Sequence, residues 1–245
     1  MNMKKCFFFL LLLGAVSSCD SGDIYPPEPE FGRDIDVILT VEGVATIPSP
    51  REGTSKYERK LALMYYKDSD IKSTPVVSLI KVGDIADNTS KNITIKNANK
   101  QAGAVVLAIL GENNEIIYNF GKKNVVESEG KTTLDWDSKV NLQSYNRVQA
   151  QLFDMSCTSC HGSNGAKGLS LTSAKSYNAI VNKNSKTDLS KKLVNPNDAL
   201  NSMIYMRLVN EYVGDDGYTD HRNFTSLKDN DIDLLKEWVN AGAKK

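Results

Sequence analysis

From residue 33 to residue 136, apolar and polar positions alternate in short runs. "DIDVILTVEGV" sets Ile35, Val37, Leu39 and Val41 on one face and Asp34, Asp36, Thr40 and Glu42 mostly on the other. A period of two is that of a half-buried strand. "KLALMYY", "PVVSLIKV", "NITIKN", "AVVLAIL", "EIIYNF" and "KTTLDW" follow as further strands, with Thr132, Leu134 and Trp136 on one side of the last. "GENN" between the fifth and sixth runs is a hairpin signal. Seven short strands packed into about a hundred residues predict an all-β antiparallel sandwich over residues 33–137.

After Trp136 the period lengthens. "SYNRVQAQLFDMS" puts Val148, Leu152 and Phe153 or Met155 at helical spacing, and "SAKSYNAIVN" reads as a short helix. "NDALNSMIYMRLVNEY", after Pro196, predicts one helix with Leu200, Met203, Ile204 and Leu208 along a stripe. "SLKDNDIDLLKEWVNAGA" aligns Ile232, Leu235, Trp238 and Val239, with Ser226 and Asp229 as a capping box and Gly242 as the stop. Residues 143–245 are thus expected to form a small all-α domain, and no internal repeat links the two halves.

Charge narrows the function classes. The 245 residues carry 30 Lys+Arg and 30 Asp+Glu, so no net field draws the chain to nucleic acid. The first residues have a secretory layout: Lys4 and Lys5, an apolar run at 7–13 too short to span a bilayer comfortably, then small residues up to Cys19. "VSSC", ending at Cys19, resembles the lipobox of bacterial lipoproteins. That resemblance implies a signal peptide at 1–18 and a lipidated Cys19 as mature N-terminus. It also implies a membrane anchor made of acyl chains and a place in the cell envelope, facing the periplasm, the outer membrane or the cell surface. Residues 19–32, acidic and with three prolines, read as an extended tether. Of four cysteines, Cys6 leaves with the signal and Cys19 carries lipid, leaving Cys157 and Cys160.

Those two sit in "CTSCHG", directly before His161. Zinc would want a fourth ligand and usually a second spaced pair, which is absent. A thioredoxin-like redox pair would open a helix after a strand, whereas this one closes a helix in the all-α half. Covalent haem accounts for all three side chains, because C-x-x-C-H lets two sulfurs reach two vinyl groups while the histidine meets the iron. Chance is a weak rival: with this composition the motif is expected in roughly one such chain in two thousand.

The second half, from about Tyr145 to Ala243, resembles class I cytochrome c. The resemblance rests on the helix leading into "CTSCHG", on "GLSL" at 168–171, on the stretch from Pro196 to Leu208 and on the terminal helix ending in "WVNAGA". It implies one haem c bound covalently through Cys157 and Cys160, with His161 as proximal iron ligand. It also implies a first and a last helix that cross, bringing Leu152 or Phe153 to Trp238 or Leu235. The family usually supplies a methionine from the loop before the terminal helix, but "GDDGYTDHRNFTS" contains none. His221 in that loop is therefore the expected distal ligand, with Met206 and Met203 as rivals. The first half is immunoglobulin-like by architectural analogy only, since it lacks a Cys–Trp–Cys signature.

The expected function is electron transfer outside the cytoplasm by a membrane-anchored single-haem carrier that meets redox partner proteins. No nucleophile–base motif, phosphate loop or pair of catalytic carboxylates points to an enzyme. The alternative is a haem-containing binding or sensor lipoprotein whose β-sandwich recognises a partner or glycan.

Overall fold

The computed structural model describes residues 32–126, 131–209, 211–212 and 221–245. The signal peptide, Cys19 and all of the tether but Gly32 lie outside the described residues. Each of the seven predicted runs is a strand: β1 (Arg33–Glu42), β2 (Lys60–Tyr66), β3 (Val76–Ile80), β4 (Ser90–Ala98), β5 (Ala104–Leu110), β6 (Ile116–Asn124) and β7 (Thr132–Asp135). An eighth, β8 (Val140–Asn141), is too short to leave a periodic signal.

The strands form two sheets, one with the order β4-β1-β7 plus β8 on β1, the other β3-β2-β5-β6. Ile35, Val37, Leu39 and Val41 of β1 are almost wholly buried, in phase with the sequence pattern, against Leu61, Leu63, Val105, Leu107 and Ile109 of the second sheet. The expectation of a wholly antiparallel sandwich needs one correction. β1 pairs antiparallel with β4 but in parallel with β7 and β8. The chain crosses between sheets before β7, and crossover connections permit parallel pairing where hairpins do not. β5 is buried along its whole length. Ala62, Met64, Tyr66, Val106, Ala108 and Leu110 form a further apolar cluster, on the side chains that alternate with those facing the first sheet.

The second half contains α1 (Tyr145–Val148), running directly into a π-helix at Gln149–Cys157, then α2 (Ser176–Ile180), α3 (Met203–Leu208) and α4 (Asp229–Asn240). None of the described helices is long and apolar enough to cross a membrane. The helix expected across 197–212 is interrupted. Ala199–Asn201 form a 3-10 turn whose first residue follows Asp198, and the Asp198 side chain accepts from the Asn201 N–H. Ser202 is extended, its hydroxyl accepting from the Asn195 N–H, so Leu200 leaves the predicted stripe and is 57% exposed. Local hydrogen bonds from Asn, Asp and Ser compete successfully with helix here.

The N-cap of α4 lies two residues beyond the predicted one, Ser226. Lys228 is its N-cap, and Asp231 accepts from the Lys228 N–H at 2.8 Å, while Ser226 exchanges a hydroxyl hydrogen bond with Ser156. Gly242 ends it as expected: φ is +94°, its N–H bonds the Val239 carbonyl and the Ala243 N–H bonds the Trp238 carbonyl. That pair of bonds is a Schellman motif. First and last helices pack together, with the Tyr145 ring 5.2 Å from Trp238 and 6.4 Å from Phe153. Leu152, Leu235 and Val239 belong to the same buried cluster.

Phe31–Lys245 form one compact unit, so the two halves share an interface. It is polar at its centre. The Arg59 Nε and Nη2 atoms donate to the two carboxylate oxygens of Asp231 at 3.0 and 2.9 Å. Arg147, fully buried, donates to the Leu142 carbonyl at 2.7 Å, to the Thr46 hydroxyl at 3.0 Å and to the Thr46 carbonyl at 3.1 Å. Burial lowers the pKa of Arg147, and the charge of Asp231 works against that shift.

Candidate functional site

Ser144 caps α1, its hydroxyl accepting from the Arg147 N–H. The wider π turns then carry the chain to Cys157, where the Thr158 N–H bonds the Phe153 carbonyl five residues back at 2.9 Å. Gln149 anchors this helix from within. Its amide nitrogen donates to Asp154 at 2.7 Å and to the Leu171 carbonyl at 3.0 Å, and its oxygen accepts from the Ser176 hydroxyl at 2.6 Å. After Cys157 the chain turns tightly, with the N–H groups of Cys160 and His161 both bonding the Cys157 carbonyl.

The segment 162–171 folds back over the turn. The Ala166 N–H donates to the Cys160 carbonyl at 2.9 Å and the Leu171 N–H to the His161 carbonyl at 2.7 Å. The His161 Nδ1 lies 3.1 Å from the Leu169 carbonyl oxygen. A carbonyl only accepts, so Nδ1 carries the proton and Nε2 keeps its lone pair for another partner. Gly165 makes this fold-back possible. A Cβ there would lie 1.7 Å from the same Leu169 oxygen.

Cys157, Cys160, His161, Met203 and His221 all line one cavity of about 710 Å³. Its walls are mostly apolar, from Phe153, Leu169, Leu193, Ile204 and Leu208, and Lys167, Lys183, Lys186 and Arg207 stand among its lining residues. The volume falls within the roughly 300–1,000 Å³ typical of cofactor clefts. Met203 is buried, whereas Met206 is half-buried and is not among the lining residues. His221 is half-buried on a 3-10 turn, His221–Phe224, and the neighbouring Arg222 pairs with Asp229 at the start of α4. Of the expected ligand loop 214–226, the part before His221 lies outside the described residues.

The thiols are unlike. Cys157 is half-buried and Cys160 exposed, and no disulfide joins them. Burial pushes the Cys157 thiol up to about 12, with a smaller push from Cys160. A redox-active C-x-x-C pair needs the opposite, a depressed thiol. Among the described residues, no three His, Cys, Asp or Glu side chains converge as a metal-ion cluster. Two thiols, an adjacent imidazole with a free Nε2, apolar walls and a cationic margin suit a flat amphipathic cofactor with acidic substituents better than a bare ion. The Leu169 carbonyl and Gly165 were not legible as site residues, because a main-chain oxygen has no sequence signature.

Residues 150–242 match the family model of Cytochrome c, and a β-rich region precedes the match. No curated protein and no solved structure matches the chain. A domain of that family carries haem c, bound covalently.

Proposed function

Because residues 150–242 form a cytochrome c domain, we propose that the protein is an electron carrier of the cell envelope, anchored to a membrane through lipid on Cys19. Its haem c supplies a one-electron Fe(III)/Fe(II) couple. The protein's part is to hold, orient and shield that couple, and no substrate is transformed. The observation that carries this reading is the shared cavity: both cysteines and His161 line it, with Nε2 of the ring left available by the bond from Nδ1 to the Leu169 carbonyl. Cys157 and Cys160 would hold the haem through thioether links and His161 would ligate its iron. The partners are redox proteins that meet the rim of the cavity. The strand order β3-β2-β5-β6 against β4-β1 supports an immunoglobulin-like sandwich.

The decisive experiment is a pyridine haemochrome spectrum of protein made in a host that matures c-type cytochromes, followed by redox titration of the native form. Pigment that survives acid–acetone extraction and titrates reversibly supports the reading. Colourless protein, or pigment that extracts, ends it.

His221 is the proposed distal ligand, ahead of Met203: both line the cavity, and of the two it is His221 that stands in the loop before α4. A second imidazole favours Fe(III), so the midpoint potential should lie below that of a His/Met cytochrome. His221→Ala is expected to convert a low-spin spectrum to high-spin; an unchanged low-spin spectrum would return the role to Met203. Gly165→Ala must push the Leu169 carbonyl away from its present place. Loss of that acceptor makes His161 a weaker donor, so the potential should rise. Overpacking should also cost about 1–3 kcal/mol of stability, read by thermal denaturation.

A further inference from the structure

Gln151 is fully buried on the π-helix, six residues before Cys157. Both ends of its amide are engaged. The oxygen accepts from the Arg147 Nε at 3.0 Å, and the nitrogen donates to the Asp231 Oδ1 at 2.7 Å. Neither neighbour is free to follow it. Arg147 is tied to Leu142 and Thr46, and Asp231 is gripped by Arg59 and by the Lys228 N–H. The amide meets both sides at once, its oxygen accepting from a guanidinium and its nitrogen donating to a carboxylate.

The segment that Gln151 pins is the costly one. π turns are rare and usually occur singly, so nine residues of π-helix need support from outside the helix. Dropping one residue from that register toward an ordinary α-helix would swing every later side chain by about 100°. Cys157, at the end of the segment, would turn from the cavity it now lines.

We propose that Gln151, held between Arg147 and Asp231 and backed by Arg59 of the β-sandwich, is a positioning residue for haem attachment, keeping the helix before the motif in the register that aims the Cys157 sulfur into the cavity. The proposal rests on the haem reading above. It gives the sandwich a part in the redox domain: β2 begins immediately after Arg59, so the sheet supplies the fixed end of the chain of bonds. The step served is the addition of the Cys157 S–H across a vinyl C=C. One C–S and one C–H bond form, the S–H bond and the π bond are lost, and no electrons are gained or lost overall. Cys160, beyond the helix on the turn stitched to Ala166, depends less on the register.

The test uses the full chain in a maturation-competent host. Gln151→Met removes both amide bonds at similar volume. Gln151→Glu keeps the bond from Arg147 and sets a carboxylate oxygen against Asp231 in place of the donating nitrogen, with Arg59 and Arg147 beside the added charge, and circular dichroism against wild type selects the variant that is read. For either variant, the expected result is folded protein in which alkylation of the denatured chain finds Cys157 unmodified by haem several-fold more often than in wild type. The haemochrome α-band should move toward that of a single-thioether haem, and amide exchange should quicken across 149–157 but not across β5. A folded variant with both links intact and Cys157 as resistant to alkylation as in wild type overturns the proposal. Colourless wild-type protein would overturn it together with the haem reading, whereas coloured wild type with unaffected variants overturns the positioning role alone.

Discussion

His161→Ala protein, purified from a maturation-competent host, should carry at least about tenfold less haem per chain than wild type. Loss of a group that merely orients a metal ligand already costs about 10–100-fold in affinity or activity, and removal of the ligand itself should cost no less. His161 is one of two histidines in the chain, and the other, His221, stands 60 residues away in sequence on a separate turn. The fold should survive the change, because among the described residues the ring makes one polar bond, to the Leu169 carbonyl, while the turn is held by main-chain bonds from Ala166 and Leu171. Haem content by staining and spectrum, beside a circular dichroism trace matching wild type, separates loss of ligand from loss of structure. Any residual pigment should be high-spin. A His161→Ala protein with wild-type haem content and a low-spin spectrum would falsify the assignment of the proximal ligand.

The second large effect is at Asp231. Asp231→Ala leaves Arg59 and Arg147 buried with one carboxylate fewer and deprives Gln151 and the first turn of α4 of an acceptor. Removing one member of a buried ion pair typically costs about 3–5 kcal/mol. For a unit of this size each kcal/mol lowers Tm by about 2–4 °C, so a fall on the order of 10 °C is expected by calorimetry. The cost should be shared by both halves. One transition should move as a whole, since the bond runs from just before β2 to the first turn of α4. Arg59→Met should cost less, because Asp231 keeps its bonds to Gln151 and Lys228. Combining it with Asp231→Leu should cost less than the sum of the single changes, as apolar groups fill both places. Strict additivity would mean that the bidentate pair does not couple the two halves.

Where the pattern of side chains alone decides structure, the chain was readable. Ile35, Val37, Leu39 and Val41 fall on the core side of β1, and Ile232, Leu235, Trp238 and Val239 on the buried side of α4. Gly242 ends α4 because only a residue tolerant of positive φ closes the helix there without strain. "CTSCHG" carries the haem-attachment spacing in the sequence, and Cys157, Cys160 and His161 line one cavity. What stayed hidden depends on partners distant in sequence. Asp231 reads as one more acidic residue at a helix start, and Arg59, its partner, is 172 positions away. The π-helix has the composition of an α-helix, and the difference lies in what holds Gln149 and Gln151. Ser202 breaks a helix because Asn195 and Lys192 fold back onto it, which no helical stripe records.

β5 brings a hazard of its own. All seven of its residues, "AVVLAIL", are apolar and all are buried. Uncharged segments of this kind, without proline, are the ones that stack into cross-β aggregates when exposed. Prolonged heating of concentrated protein should therefore end in precipitation, whereas the Tm shifts expected above are read in dilute protein at one scan rate, where unfolding reverses. Lys60 and Lys122, paired with Leu110 and Val106 on the flanking strands, act as charged gatekeepers, and replacing both with leucine should deepen that tendency.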